Sequence, residues 1–161
     1  MTEHRVKIAE YAVAAAPATL ISIGLGSCVA IVLHDARARI GGMAHVLLPV
    51  ETRPGAAGRQ PGRVPATAVP CLLDEMRALG AGGTITARLV GGASLFGALL
   101  TPEGAGAVGV RNIEASRAAL AAAHIRVTGE VVGGTVGRSV YLDVATGRLR
   151  VRSMKEGDRV L

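Results

Sequence analysis

Residues 22–33 read Ser-Ile-Gly-Leu-Gly-Ser-Cys-Val-Ala-Ile-Val-Leu, and residues 40–48 read Ile-Gly-Gly-Met-Ala-His-Val-Leu-Leu. In the first stretch two glycines interrupt an apolar segment, and β-branched residues follow them. This pattern is typical of a strand, a tight turn and a second strand. The second stretch is again apolar and follows a short polar segment. It therefore predicts a strand that returns beside the strand before it.

The remaining segments predict more strands and two main helices. One helix is expected to begin after an N-cap at Thr67, to bury an apolar stripe and to end at Gly80. A second helix is expected at residues 111–123. Further strands are predicted at residues 6–14, 84–90, 125–132, 139–144 and 148–151. Because most connections between strands are too short for parallel crossovers, we expect an α/β (α+β) fold with mixed or antiparallel sheets.

The composition limits the class of protein. The chain has 161 residues, which predicts a single domain spanning residues 1–161. Half of the residues are apolar and the mean hydropathy is +0.41, which excludes a disordered chain. The net charge is +6, but the chain has three aromatic residues, too few for a surface that stacks on bases. We therefore expect no nucleic-acid partner and a cytoplasmic location.

The longest uncharged run, residues 11–33, is long enough to span a bilayer. Pro17, Gly24 and Gly26 interrupt it, and a second apolar segment follows, so a sheet core is favoured over membrane insertion. The two cysteines cannot form a disulfide framework, and the four histidines show no spacing typical of metal ligands. We expect no metal and no organic cofactor.

Cys28 is the candidate nucleophile, because the glycines before it allow a sharp turn that presents a thiol. The backbone N–H groups of Ser27 and Cys28 are candidate donors to an oxyanion. His45 is the candidate base, since its strand is predicted to lie beside that of Cys28. Ser22 has the same parity as Cys28 along an extended chain and offers a hydroxyl to orient the imidazole.

These residues also have structural interpretations. Cys28 is equally compatible with a small buried hydrophobic residue, and a lone histidine on an apolar strand, such as His45, is usually part of the core. Cys71 is expected in the core and His34 at the surface. The glycines at 24 and 26 resemble a dinucleotide-binding turn, but β-prone residues follow where a helix should begin, so nucleotide binding is disfavoured.

Several short motifs occur in one order along nearly the whole chain. With them the chain resembles the CheD family of chemoreceptor glutamine deamidases. The motifs are Gly24-Leu25-Gly26-Ser27-Cys28-Val29-Ala30, Gly41-Gly42-Met43-Ala44-His45-Val46-Leu47-Leu48-Pro49, Gly91-Gly92-Ala93-Ser94-Leu95-Phe96, Gly109-Val110-Arg111-Asn112, Gly133-Gly134, Gly137-Arg138-Ser139-Val140 and Thr146-Gly147-Arg148-Leu149-Arg150-Val151.

The resemblance implies a fold and a reaction. The fold would be a mixed α/β sandwich with a β-sandwich-like core and about two flanking helices, similar to toxin-type cysteine deamidases. Cys28 would be the nucleophile, His45 the base and Ser22 the third member, where the family commonly has threonine. The family often has Tyr-Ala-Asp where this chain has Val-Pro-Ala at residues 64–66, so contacts made there would differ.

The implied substrates are glutamine side chains of methyl-accepting chemoreceptors, and some members also hydrolyse glutamate methyl esters. A CheC-type phosphatase is an implied partner. The alternative is a non-catalytic chemotaxis adaptor that binds the receptor and such a phosphatase. A further alternative, nucleic-acid binding driven by the net charge, is expected to be weak, indifferent to sequence and lost in moderate salt.

Overall fold

The computed structural model describes residues 1–94 and 105–161, and in these the chain forms ten strands and three helices. The strands are β1 (Thr2–Arg5), β2 (Tyr11–Ala15), β3 (Ala18–Leu25), β4 (Val29–Asp35), β5 (Ile40–Val46), β6 (Ile85–Gly91), β7 (Arg126–Val132), β8 (Arg138–Asp143), β9 (Leu149–Ser153) and β10 (Gly157–Val160). The helices are α1 (Ala56–Arg59), α2 (Pro65–Ala78) and α3 (Ala105–Ala122), with a single 3₁₀ turn at Pro61–Arg63 before α2.

The strands form two five-stranded sheets. The first sheet has the order β1-β3-β8-β9-β10, and the second has the order β2-β5-β4-β6-β7. Two pairs are parallel, β1 with β3 and β6 with β7, and the other pairs are antiparallel. Helix α3 connects β6 to β7, as a parallel pair requires. The prediction of mixed sheets in an α/β (α+β) fold is confirmed.

Strand β4 is buried on both faces because it separates two apolar layers. Val29, Ile31 and Leu33 pack in the layer that contains α2 and α3, whereas Ala30 and Val32 pack against the first sheet. A strand covered on both sides needs apolar residues at every position. The run of β-branched residues that predicted this strand therefore reflects its place at the centre of the molecule.

Four local predictions were wrong. Cys71 is partly exposed on α2 and does not belong to the core. Residues 6–14 do not form one strand; β1 ends at Arg5, and β2 begins at Tyr11. Helix α2 begins at Pro65 with Val64 at the N-cap position, and the Thr67 hydroxyl instead donates to the Pro61 carbonyl at 2.6 Å. His34 is buried, because β4 extends to Asp35 and turns this side chain toward the first sheet, where Nε2 lies 2.8 Å from the Val144 carbonyl oxygen.

Strand β10 and the early start of α3 are absent from the predictions. All four residues of β10 are exposed, so this edge strand has no apolar alternation to reveal it. Leu95 and Phe96, which end one of the motifs, lie outside the described residues. None of the described helices is both long and apolar enough to cross a membrane.

Gly62 provides a test of the packing between the segment before α2 and the β1–β2 turn. A Cβ atom at this position would lie 2.6 Å from the carbonyl carbon of Glu10 and 2.8 Å from the carbonyl oxygen of Ala9. Backbone atoms cannot rotate away, so we expect Gly62→Ala to lower the free energy of unfolding by about 1–3 kcal/mol. Urea denaturation measures this loss.

Gly58→Ala is the matched control, because a Cβ atom there meets nothing within 4 Å. Alanine also favours the helical conformation of α1. We expect this variant to be as stable as the parent or slightly more stable. Equal stabilities of the two variants would contradict the close approach at Gly62.

Candidate active site

His45 is held in the space between the two sheets. Its backbone N–H donates to the Glu10 carbonyl at 3.0 Å, and its carbonyl accepts from the Ala9 N–H at 2.9 Å. Both partners belong to the turn between β1 and β2. The side chain is 1% exposed, so the imidazole has almost no contact with solvent. Its protonation state therefore depends on the few polar groups around it.

Ser22 contacts His45 from the opposite sheet. The Oγ atom of Ser22 lies 2.7 Å from Nδ1 of His45 and 2.8 Å from the Val6 carbonyl oxygen. A carbonyl only accepts, so the single hydroxyl proton of Ser22 is donated to Val6. The Ser22 oxygen must then accept the proton on Nδ1. The neutral imidazole is fixed in the tautomer whose Nε2 carries a lone pair, and Nε2 has no partner among the described residues.

Cys28 lies immediately before β4 and faces the same layer as His45. The strand register pairs Ala30 with His45 and Val29 with Val46, which places Cys28 diagonally across from the imidazole rather than directly opposite. Diagonal neighbours on one face of a sheet are separated by about 7–8 Å between Cα atoms, within reach of long side chains. Cys28 is 7% exposed and packs beside apolar residues of the first sheet.

The loop that carries Cys28 is held through three successive carbonyl groups. The Gly26 carbonyl accepts from the Ala93 N–H, and the Cys28 carbonyl accepts from the Gly92 N–H, each at 2.8 Å. The Ser27 carbonyl accepts from the side-chain amide of Asn112 at 2.8 Å. The N–H groups of Ser27 and Cys28 take part in none of the turn and loop hydrogen bonds of the described residues.

Burial keeps the thiol and the imidazole uncharged. It raises the pKa of Cys28, although the backbone N–H of Cys28 itself acts in the opposite direction. Burial also lowers the pKa of His45, a shift that the Val6 carbonyl partly offsets. Both shifts disfavour the charged forms. At neutral pH these shifts favour a thiol and a neutral imidazole in the resting pair.

The structure brings Ser22 and His45 into contact and places Cys28 on the same face of the second sheet as His45. Parity along the chain predicts only that Ser22 and Cys28 share a side, whereas the structure shows that Ser22 reaches His45 from the facing sheet. Asn112 was noted only within a motif, and nothing in a helical pattern shows that its amide contacts the Cys28 loop. Its one signal in the sequence is its place in that motif, because α3 carries several other polar residues.

A cleft of about 650 Å³ is lined by residues that include Gly24 and Arg138, but neither Cys28 nor His45 belongs to its lining. Within residues 1–94 and 105–161, no three His, Cys, Asp or Glu side chains come together as metal ligands. The described residues thus offer a thiol, an imidazole nitrogen with a lone pair, and two backbone N–H groups that no turn or loop hydrogen bond occupies.

The chain is similar to proteins of known family along most of its length. Residues 47–153 match the family model described as CheD chemotactic sensory transduction. Chemoreceptor glutamine deamidase CheD of Thermotoga maritima is 38% identical over 157 residues, which cover 96% of this chain and 94% of that protein. Ser22, Cys28 and His45 precede the segment matched by the family model.

Two further relatives also match this chain over more than nine-tenths of both lengths. Both bear the name probable chemoreceptor glutamine deamidase CheD. The protein from Thermococcus kodakarensis is 38% identical over 96% of this chain and 95% of its own length. The protein from Desulforamulus reducens is 37% identical over 94% of this chain and 91% of its own length. The family model matches residues 47–153, and the relatives match more than nine-tenths of the chain. The chain therefore belongs to the CheD family.

Proposed function

We propose that this protein hydrolyses the side-chain amide of particular glutamines on methyl-accepting chemoreceptors, producing glutamate and ammonia. Cys28 is the nucleophile, His45 is the base, and Ser22 orients the imidazole. The observation that carries the proposal is the Ser22–His45 hydrogen bond, which leaves the lone pair of Nε2 on the face of the sheet that also carries Cys28. The names of the relatives support the substrate class.

The first half of the reaction forms a thioester. Nε2 of His45 takes the proton of the Cys28 thiol while the sulfur attacks the carbonyl carbon of the glutamine amide. The backbone N–H groups of Ser27 and Cys28 donate to the oxyanion that develops on the amide oxygen. His45 then gives its proton to the amide nitrogen, the C–N bond breaks, and ammonia leaves.

The second half releases the product. His45, neutral again, takes a proton from a water molecule, whose oxygen attacks the thioester carbon. The C–S bond breaks and the proton returns to the sulfur, so that glutamate and the free thiol are restored. A glutamate methyl ester would form the same thioester with methanol as the leaving group, and for this reason we include ester hydrolysis in the proposal.

Ser22 stabilises the charged intermediate as well as the resting state. When Nε2 gains a proton, the imidazolium still donates from Nδ1 to the Ser22 oxygen, and that oxygen is polarised by its own donation to Val6. The arrangement performs the role that an acceptor behind the catalytic histidine has in other acyl-transfer enzymes. A serine fulfils it without the methyl group of threonine.

The proposal treats residues 1–161 as one deamidase domain that acts in the cytoplasm, which agrees with two free cysteines. A CheC-type phosphatase is its proposed second partner, on the strength of the family resemblance alone. Neither a metal nor an organic cofactor enters the proposed steps. A change from glutamine to glutamate adds negative charge to the receptor helix, which gives the reaction a signalling output.

We expect Cys28→Ala to abolish deamidation, because among the described residues Cys28 carries the thiol that lies on the same face of the sheet as His45. Mass spectrometry of receptor peptides detects the conversion of glutamine to glutamate. Cys71→Ala is the matched control: this partly exposed cysteine lies on α2 beside Tyr11, and its removal should leave the activity unchanged.

Continued conversion by the Cys28→Ala variant would disprove the assignment of the nucleophile. If the parent protein binds receptors but converts no glutamine, the adaptor function is the correct one.

We expect Ser22→Ala to lower kcat by about fivefold, since the loss of one oriented hydrogen bond costs about 1 kcal/mol. The variant also frees Nδ1 to lose its proton, so part of the imidazole adopts the wrong tautomer. Ser22→Thr keeps the hydroxyl and should retain most of the activity. Equal losses in the two variants would show that packing at this position, and not the hydrogen bond, matters.

We expect the acid limb of kcat/KM to lie below about pH 6.5, the ordinary histidine pKa. Protonation of His45 removes the base, and burial lowers its pKa, so activity persists to lower pH than an exposed histidine would allow. Initial rates of ammonia release as a function of pH measure the limb. An acid limb above that value, or activity that appears only as the thiol ionises at alkaline pH, would contradict base catalysis by His45.

A further inference from the structure

We propose that Asn112 is a positioning residue that fixes the separation between the Cys28 loop and the end of the His45 strand. The inference rests on the proposed function, because this separation matters when Cys28 and His45 react as a pair. Asn112 lies on α3, is fully buried, and touches neither of the two side chains in any hydrogen bond of the described residues. Asn112 acts through the backbone carbonyls of Ser27 and Leu47.

The amide of Asn112 joins the two strands where their own pairing stops. The last pair in the β4–β5 ladder is Val29 with Val46. Beyond this pair the two strands separate. The Leu47 N–H donates to the Arg63 carbonyl and not to the segment that precedes β4. At this point Nδ2 of Asn112 donates to the Ser27 carbonyl at 2.8 Å and to the Leu47 carbonyl at 3.1 Å.

These two carbonyls flank the proposed catalytic pair. Ser27 directly precedes Cys28, and Leu47 follows His45 by two residues. One nitrogen that is hydrogen-bonded to both carbonyls therefore sets the distance between the Cys28 loop and the end of β5. Small errors in such a distance are costly, because proton transfer and attack both require the reacting atoms in near contact.

The chemistry of the two bonds requires an amide nitrogen. Both partners are acceptors, so the group between them must supply two protons from one atom, and Asn and Gln are the uncharged side chains with such an NH₂ group. The Oδ1 atom is buried with no partner in the described part of the chain. A buried amide that leaves its oxygen unused is costly, which indicates that the nitrogen is the part that matters.

The position of α3 also rests on a backbone contact that does not involve this amide. Gly109 brings the helix backbone against the Gly92–Ala93 turn so closely that a Cβ atom would lie 2.6 Å from the Gly92 carbonyl oxygen. Ser116, one turn beyond Asn112, is also fully buried, and its hydroxyl donates only within the helix, to the Asn112 carbonyl at 2.7 Å. Ser116→Ala is therefore a matched control for a buried polar change on this helix.

The experiment uses the full chain with Cys71→Ala as the parent, so that Cys28 is its one cysteine. Asn112→Asp keeps the shape of the side chain but places a carboxylate oxygen against two carbonyl oxygens. The measurements are kcat and KM for deamidation of a chemoreceptor, the rate of Cys28 alkylation by iodoacetamide as a function of pH, and the melting temperature. His45→Ala supplies the alkylation rate of a thiol with no base beside it.

We expect Asn112→Asp to lower kcat by about 10- to 100-fold, the effect of a misplacement near 1 Å, while KM changes far less. Its alkylation rate near neutral pH should fall to that of His45→Ala, and Ser116→Ala should match the parent in both assays. If Asn112→Asp does not fold, Asn112→Ala removes both donors without adding charge and is interpreted in the same way.

The positioning role is overturned if the Asn112 variant alkylates with the pH profile of the parent, or if Ser116→Ala shows equal losses. A failure of the proposed function has a different signature. In that case the parent converts no glutamine, yet its alkylation still depends on both His45 and Asn112. That outcome would leave the positioning role in place and reject the substrate.

Discussion

The hydrogen bond between Ser22 and His45 links the two sheets at the candidate site, and the rest of the arrangement depends on it. Ser22 belongs to the first sheet and His45 to the second, so the bond can form only in the assembled sandwich. Because Ser22 must donate to Val6, its oxygen can only accept from the imidazole. A single carbonyl near the N-terminus thereby decides which nitrogen of His45 is basic.

Glycines near the site allow the backbone to approach where side chains would not fit. Gly91 has a φ of +114°, and a Cβ atom on it would lie 2.3 Å from the Cys28 carbonyl oxygen. Gly92 follows with a φ of +67°, and its N–H donates to that same carbonyl. The glycine pair forms a tight turn, and its consequence is to fix the orientation of the peptide group that follows Cys28.

The sequence predicts the central part of the fold because β4 and β5 are covered on both faces, and most of their residues are apolar. The same pattern predicts that the Cys28 and His45 segments are neighbours. It cannot predict that Ser22 reaches His45 across the sandwich, since this contact depends on how two sheets stack. It also cannot predict Asn112, because the rotation of α3 against the sheet decides which of its residues meets the Cys28 loop.

Similarity and geometry support the functional assignment in different parts of the chain. The family model covers Asn112 and the Gly91–Gly92 turn, which hold the Cys28 loop from outside, but begins after His45. The full-length relatives extend over the remaining region. For Ser22, Cys28 and His45 the independent argument is physical: a buried neutral imidazole, with its tautomer fixed and its second nitrogen unpaired, lies on the same face as a buried thiol. A packed core gains nothing from such an unsatisfied nitrogen, whereas acyl transfer requires it.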